Sequence, residues 1–311
     1  MTGDARALDA GDAGDAGDAV LSALRAIRKR LDDFEPAALA DEPDAVHQVR
    51  THVRRLRSVL AAYAPLFDAS VVQALRRRYR ELGAELGVVR DLEVRVQVAE
   101  AALQEASEDG AADPADLDLI RSRLVDDEID AHRLAHTRFV ERQRMPRSAE
   151  RRATLAGFLA DAPLMPSAAE PAGPVLAGLL EREARRAVRR ASHVDASSDP
   201  ERLHEVRKSG RRLRYAAEAV TDEPVALFGD AARELGRAGE DLHDVLGDHR
   251  DEVLFAEHVR RAAAHAAHEG RATDAFERLA AAADRRANDR LAGFDSAVRA
   301  LRRAEREWSS R

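Results

Sequence analysis

The chain has 311 residues, enough for one large or two average domains. It has no cysteine, which excludes disulfides, thiolate metal sites and a cysteine nucleophile, and no apolar stretch approaches the ~20 residues of a membrane span. The composition is 45% hydrophobic but only 4% aromatic, so strand-type runs are missing and helix formers dominate; the net charge of −7 bears on solubility more than on what a local surface binds.

Residues 11–19 repeat Gly-Asp-Ala, an acidic stretch without apolar payload, and residues 1–18 are expected to form a disordered acidic tail. Beyond it, proline and glycine punctuate a series of amphipathic stretches. Helices are expected near 19–33, 43–62, 67–87, 89–108, 115–145, 148–161, 172–192, 200–220, 225–246, 249–268 and 272–307. The Pro-rich stretch 163–174 is the natural joint between a first helical half, 19–162, and a second, 175–311. Short connections make neighbouring helices antiparallel, so the expected fold is all-α, with two antiparallel helical bundles in one domain.

The helix expected at 43–62 carries His47, Arg50, Arg54 and Arg57 at i, i+3, i+7 and i+10. On a helical wheel they share one stripe beside the apolar seam Val46, Val49, Val53, Leu56 and Leu60. The helix at 200–220 repeats the pattern 157 residues later, with His204, Arg207, Arg211 and Arg214 beside Leu203, Val206 and Leu213, and with Lys208 adjacent. The preceding helices also match at that offset: Arg25, Arg28 and Lys29 correspond to Arg182, Arg185 and Arg186. Such an echo is the mark of internal duplication. Two copies related by a pseudo-two-fold axis would bring both stripes to a shared basic groove or pore.

A charged run on a helix is ordinarily a solvated face neutralised by acids on neighbouring helices. Here no carboxylate interrupts 47–57, and only Glu205 interrupts 204–214. Like charges at i, i+4 cost roughly 0.2–0.5 kcal/mol per pair. The duplication of the stripe, with its histidine in register, therefore favours a polyanion as the missing partner, and Arg suits phosphate through its planar two-donor fork.

A second echo, Leu-Gly-x-x-Arg-Asp, occurs at 86–91 and 246–251. Gly87 and Gly247 read as helix-ending residues, placing Asp91 and Asp251 in the first turn of the next helix. Arg90 and Arg250 either reach the groove or pair with an acid.

Together these residues resemble the CHAD family, the conserved histidine α-helical domain, over roughly residues 20–305. The resemblance rests on the paired His-x2-Arg-x3-Arg-x2-Arg motifs and both Leu-Gly-x-x-Arg-Asp elements. It implies helical bundles around a basic groove, binding of inorganic polyphosphate, and association with polyphosphate granules. The binding residues it implies are His47, Arg50, Arg54, Arg57, His204, Arg207, Lys208, Arg211 and Arg214. Arg25, Lys29, Arg90, Arg182, Arg186 and Arg250 form a secondary set. The catalytic CYTH domain that accompanies many members has a Glu-x-Glu-x-Lys strand motif, which is not found here.

Other chemistries have weaker support. No Gly-rich phosphate loop or nucleophile elbow appears, so the chain is expected to be non-enzymatic and without a cofactor; a phosphate-processing activity would need Mg²⁺-binding carboxylates beside the basic site. Single-stranded nucleic acid is disfavoured because stacking aromatics are scarce. His132/His136 and His265/His268 have helical spacing for a metal, but two ligands fall short of the three or four a zinc site wants, so they read as surface histidines. Met1-Thr2-Gly3-Asp4 lacks the features of a signal peptide, and a cytoplasmic location is expected.

Overall fold

A computed structural model describes residues 14–108, 113–195 and 198–311. Among them eleven α-helices follow one another with no β-strand: α1 (Ala16–Leu39), α2 (Ala45–Ala62), α3 (Ala69–Glu108), α4 (Pro114–Arg121), α5 (Asp127–Arg144), α6 (Pro146–Ala160), α7 (Ala172–Ala191), α8 (Pro200–Thr221), α9 (Asp230–His268), α10 (Asp274–Leu291) and α11 (Phe294–Ser309). The all-α expectation holds. No described helix is long and apolar enough to cross a membrane.

The apolar seams of the motif helices are core, as their spacing predicts. Val46, Val49, Val53, Leu56 and Leu60 on α2 are buried, as are Leu203, Val206 and Leu213 on α8. Each such side chain contributes roughly 1.5–3 kcal/mol. α2 packs directly on α8, and Tyr63, just past α2, donates from its buried hydroxyl to Ala216 O on α8 at 2.7 Å. This packing joins the first part of the chain to the second at the motif helices.

Several expected boundaries are corrected. α1 begins at Ala16, inside the segment read as tail, because Ala16 N–H donates to Glu170 O at 3.0 Å while Ala172 N–H donates to Gly14 O at 3.1 Å. That exchange ties the entrance of α1 to the entrance of α7. The rest of the tail, residues 1–13, lies outside the described residues. The expected helix at 115–145 is interrupted by one wide π-helical turn, Ser122–Asp126. The expected helix at 272–307 breaks at Ala292–Gly293, so that Phe294 and Leu301 join the main core while Phe276 and Ala283 join a second one.

The largest correction concerns Gly87 and Gly247. Neither ends a helix; both lie inside uninterrupted helices of 40 and 39 residues, α3 and α9. At ~1.5 Å per residue each spans about 60 Å, long enough to serve both cores. The glycines instead leave room for a guanidinium: a Cβ at Gly87 would lie 3.7 Å from Arg50 Nη2, and one at Gly247 only 3.2 Å from Arg207 Nη2. Asp91 and Asp251 are consequently mid-helix residues. α8 and α9 approach still more closely at Gly210 and Gly239, where a Cβ on either would meet the other's carbonyl oxygen at 2.7 Å.

Candidate functional site

α2 and α8 place their cationic stripes side by side. The motif residues His47, Arg50, Arg54, Arg57, His204, Arg207, Arg211 and Arg214 are all half-buried, set beside apolar seams that hold their helices in register. Their electrostatics divide them into two groups.

One group is left without an ion pair among the described residues. Arg57, Arg207 and Arg211 form no ion pair among the described residues, and Arg54 donates only to Thr51 Oγ1, at 3.1 Å. The Nε–H groups of Arg54, Arg57 and Arg207 are buried without an acceptor. Burial, then Arg54, Arg207 and Arg57, pull the Arg211 guanidinium down from its ordinary range to about 9. Burial, then Arg50, Arg207 and Arg90, lower Arg54. Burial, then Arg80 and Arg76, lower Arg57. Arg207 is lowered by burial, Arg250 and Arg50, against the opposing pull of Asp251 and Asp244. These arginines remain protonated at neutral pH, so their mutual repulsion is relieved only by an anion.

The histidines sit in the same field. His47 is lowered by burial and by Arg90, Arg54 and Arg50, with Asp44 opposing. His204 is lowered by burial, Arg250, Lys208, Arg207 and Arg211, and its Nδ1 is buried without a partner.

The other group is answered by acids on neighbouring turns and helices. Arg50 pairs with Asp91 at 2.7 Å and Arg90 with Glu93 at 2.8 Å. Arg214 pairs with Glu218 at 2.6 Å and Glu240 at 2.8 Å, which hold its guanidinium up against the opposing effect of burial. Lys208 pairs with Glu205, which Arg190 also reaches at 3.3 Å.

Of the secondary set, Arg25 and Arg182 are not brought to this surface. They donate to backbone carbonyls at helix ends, Leu159 O at 3.0 Å and Ala62 O at 2.9 Å, and so serve the packing of the helices. Lys29 pairs with Asp33 at 2.7 Å and Arg186 with the buried Glu183 at 3.2 Å. Arg250 is exposed, forms no ion pair among the described residues, and lies close enough to lower His204 and Arg207.

Two members of the site do not emerge from the motif. Arg76, Arg80, Gly83, Gly87 and Arg90 share one face of α3 at helical spacing. That face meets α2, since a Cβ at Gly83 would lie 3.6 Å from Arg57 Nη1. Arg76 and Arg80 therefore extend the uncompensated cations beyond Arg57. On α9, 160 residues later, the matching face reads Gly236, Glu240, His243, Gly247 and Arg250. Glu240 stands where α3 has Arg80, and it is one of the two acids that neutralise Arg214. The signal for Arg76 and Arg80 was their i, i+4 continuation toward Gly83 and Gly87.

The surface can bind extended multivalent anions through permanent charges. Among the described residues, the one group of three side chains close enough to share a metal ion lies outside the unpaired arginines.

The family model for the CHAD domain matches residues 22–260. The uncharacterized protein Rv2226 of Mycobacterium tuberculosis strain H37Rv is 28% identical over 234 residues, 73% of this chain and 42% of that protein. Its counterpart MT2285 in strain CDC 1551 matches equally, so the chain spans about two fifths of the length of these relatives. The crystal structure of the CHAD domain from the plant Ricinus communis superposes with a TM-score of 0.70 at 22% identity, over 97% of this chain and 96% of that one. PptA from Streptomyces chartreusis superposes with a TM-score of 0.64 at 21% identity, over 96% of this chain and all of the other. With the family model covering most of its length, and the same helical fold in a solved member, the chain belongs to the CHAD domain family.

Proposed function

We propose that this protein binds inorganic polyphosphate, without catalysis, in a groove along the packed α2 and α8 stripes. The observation that carries the reading is the cluster Arg54, Arg57, Arg207 and Arg211: half-buried guanidiniums, depressed by burial and by neighbouring arginines, with no ion pair to a carboxylate among the described residues. Burying unpaired charge is expensive, and a linear phosphate chain supplies regularly spaced acceptors that offset that cost. Inorganic polyphosphate is also what the family resemblance implies. Tyr63, Tyr79 and Tyr215 are all buried, which leaves no exposed tyrosine on which bases could stack and supports polyphosphate over nucleic acid. Localisation to polyphosphate granules is part of the same proposal.

The test is a titration with long-chain polyphosphate, orthophosphate and single-stranded DNA at two salt concentrations, repeated on Arg54→Glu plus Arg211→Glu. Selective, salt-sensitive binding of the polymer is expected, lost in the double variant. Equal affinity for DNA, or polymer binding that survives the double variant, removes the reading. Release of orthophosphate from the polymer would return the protein to the enzymes.

A further inference from the structure

Next to Arg90, at the edge of the cationic surface, side chains able to ligate a metal converge at one place. Asp41, Glu93 and His132 each bring one ligand atom within 4.8 Å of the other two. They come from three separate elements: the turn between α1 and α2, the middle of α3, and α5. His132 Nε2 lies 3.3 Å from Glu93 Oε1 and 3.7 Å from Asp41 Oδ1. A tetrahedral ion with ligands at about 2.1 Å has ligand–ligand edges of roughly 3.4 Å, so these separations already match two edges of such a site.

The surroundings orient each ligand. Arg90 occupies Glu93 Oε2 at 2.8 Å, leaving Oε1 to face His132. Asp41 is held in the left-handed region at φ 57°, a conformation uncommon outside glycine. His136, one turn after His132, donates from Nε2 to Ala38 O at 2.8 Å and stands 3.7 Å from Asp41 Oδ1. Its ring stacks beside that of His132 with centroids 6.2 Å apart. Hydrogen bonds to the far side of a ligating side chain fix its direction toward a metal. The i, i+4 histidine pair is thus not itself the donor set; one member donates and the other braces.

We propose that Asp41, Glu93 and His132 form a mononuclear site for a divalent cation, with the one-nitrogen, two-oxygen donor set suited to Zn²⁺ or Mn²⁺. The fourth position opens beside Asp41, whose side chain is 39% exposed. The site stands independently of the polyphosphate reading, because none of its three ligands belongs to the α2 or α8 stripes. The competing arrangement is a hydrogen-bonded cluster of the three side chains that binds no ion.

The full chain, stripped with a chelator, is titrated with ZnCl₂ and with MnCl₂ by calorimetry. One equivalent of at least one ion is expected to bind. Affinity should fall at least tenfold in Asp41→Asn, Glu93→Gln and His132→Gln, and stay unchanged in His265→Gln plus His268→Gln. Added metal should raise the melting temperature of the wild type and not of those three variants. Absence of binding by both ions, or binding that survives all three substitutions, overturns the site. Should His132→Gln fail to fold, Asp41→Asn decides alone, since asparagine tolerates the left-handed backbone.

Discussion

The Arg54 guanidinium on α2 presses on that of Arg211 on α8, and neither has a carboxylate within ion-pair distance among the described residues. Two permanent cations from distant parts of the sequence are thus held together by the packing of their helices. The repulsion is carried by the stability of the fold, and it is available to any anion that relieves it.

Replacing one of the two should therefore stabilise the free protein. Arg211→Gln removes an unpaired, largely buried charge and is expected to raise stability by about 1 kcal/mol, or a few degrees in melting temperature. The same substitution should weaken polyphosphate binding. A melt in low salt, with and without polymer, checks both signs; the gain should shrink at high salt, where the repulsion is screened.

The two halves should not contribute equally. Arg57 has Arg76 and Arg80 beside it and no ion pair among the described residues, whereas Arg214 is held by Glu218 and Glu240. Arg57→Ala or Arg80→Ala is expected to cost about tenfold in affinity, the scale of one charge-assisted hydrogen bond. Arg214→Ala should cost less than threefold. Glu240→Gln should tighten binding by releasing Arg214. Calorimetric titration of the four variants decides the matter.

Much of this was legible from the sequence, and the reasons for the rest are specific. The stripes and seams could be read because both obey the 3.6-residue period within one helix. Asp91 and Glu240 could not be matched to their arginines in advance, since both pairings cross from one helix to another, whereas Glu218 pairs with Arg214 one turn back on the same helix. Gly87 and Gly247 misled because a glycine that ends a helix and one that admits a side chain look alike without the neighbouring helix. The break at Gly293 escaped for a related reason: the chain turns there to serve two cores, and only the second core reveals the need.

Acidification should move stability and affinity in opposite directions. His47 and His204 are depressed in the folded protein, and His243, chiefly by burial and then by Arg207 and Arg211, is lowered to about 4 against the hydrogen bond to Asp244. The unfolded chain takes up protons near the ordinary 6.5 and the folded one only further down. Stability is thus intact above pH 6.5 and lost as pH falls from there toward 4. A bound polyanion raises the His47 and His204 values, so binding takes up protons and tightens below pH 6.5. Melting curves and affinities at pH 7.5, 6.5 and 5.5 test both trends. His47→Gln plus His204→Gln should flatten the affinity profile, and His243→Gln the stability profile.

The contact of Gly210 with Gly239 should be the least tolerant point of α8. A methyl group there would stand 2.7 Å from a carbonyl oxygen and force the helices apart. Gly210→Ala is expected to cost about 2–4 kcal/mol despite the better helix propensity of alanine. Chemical denaturation reads the loss directly. A neutral result would mean that α8 and α9 can separate freely.

The exchange of Arg80 for Glu240 on corresponding faces of α3 and α9 has one more effect. A linear phosphate polymer reads the same from either end, but the surface it would meet does not. Beyond Arg57 the attraction continues through Arg76 and Arg80; beyond Arg214 it stops at an acid. A polymer that outreaches the two stripes would therefore be drawn toward the α3 flank and away from the α9 flank, so a surface that carries the same motif twice would give a direction to a molecule that has none.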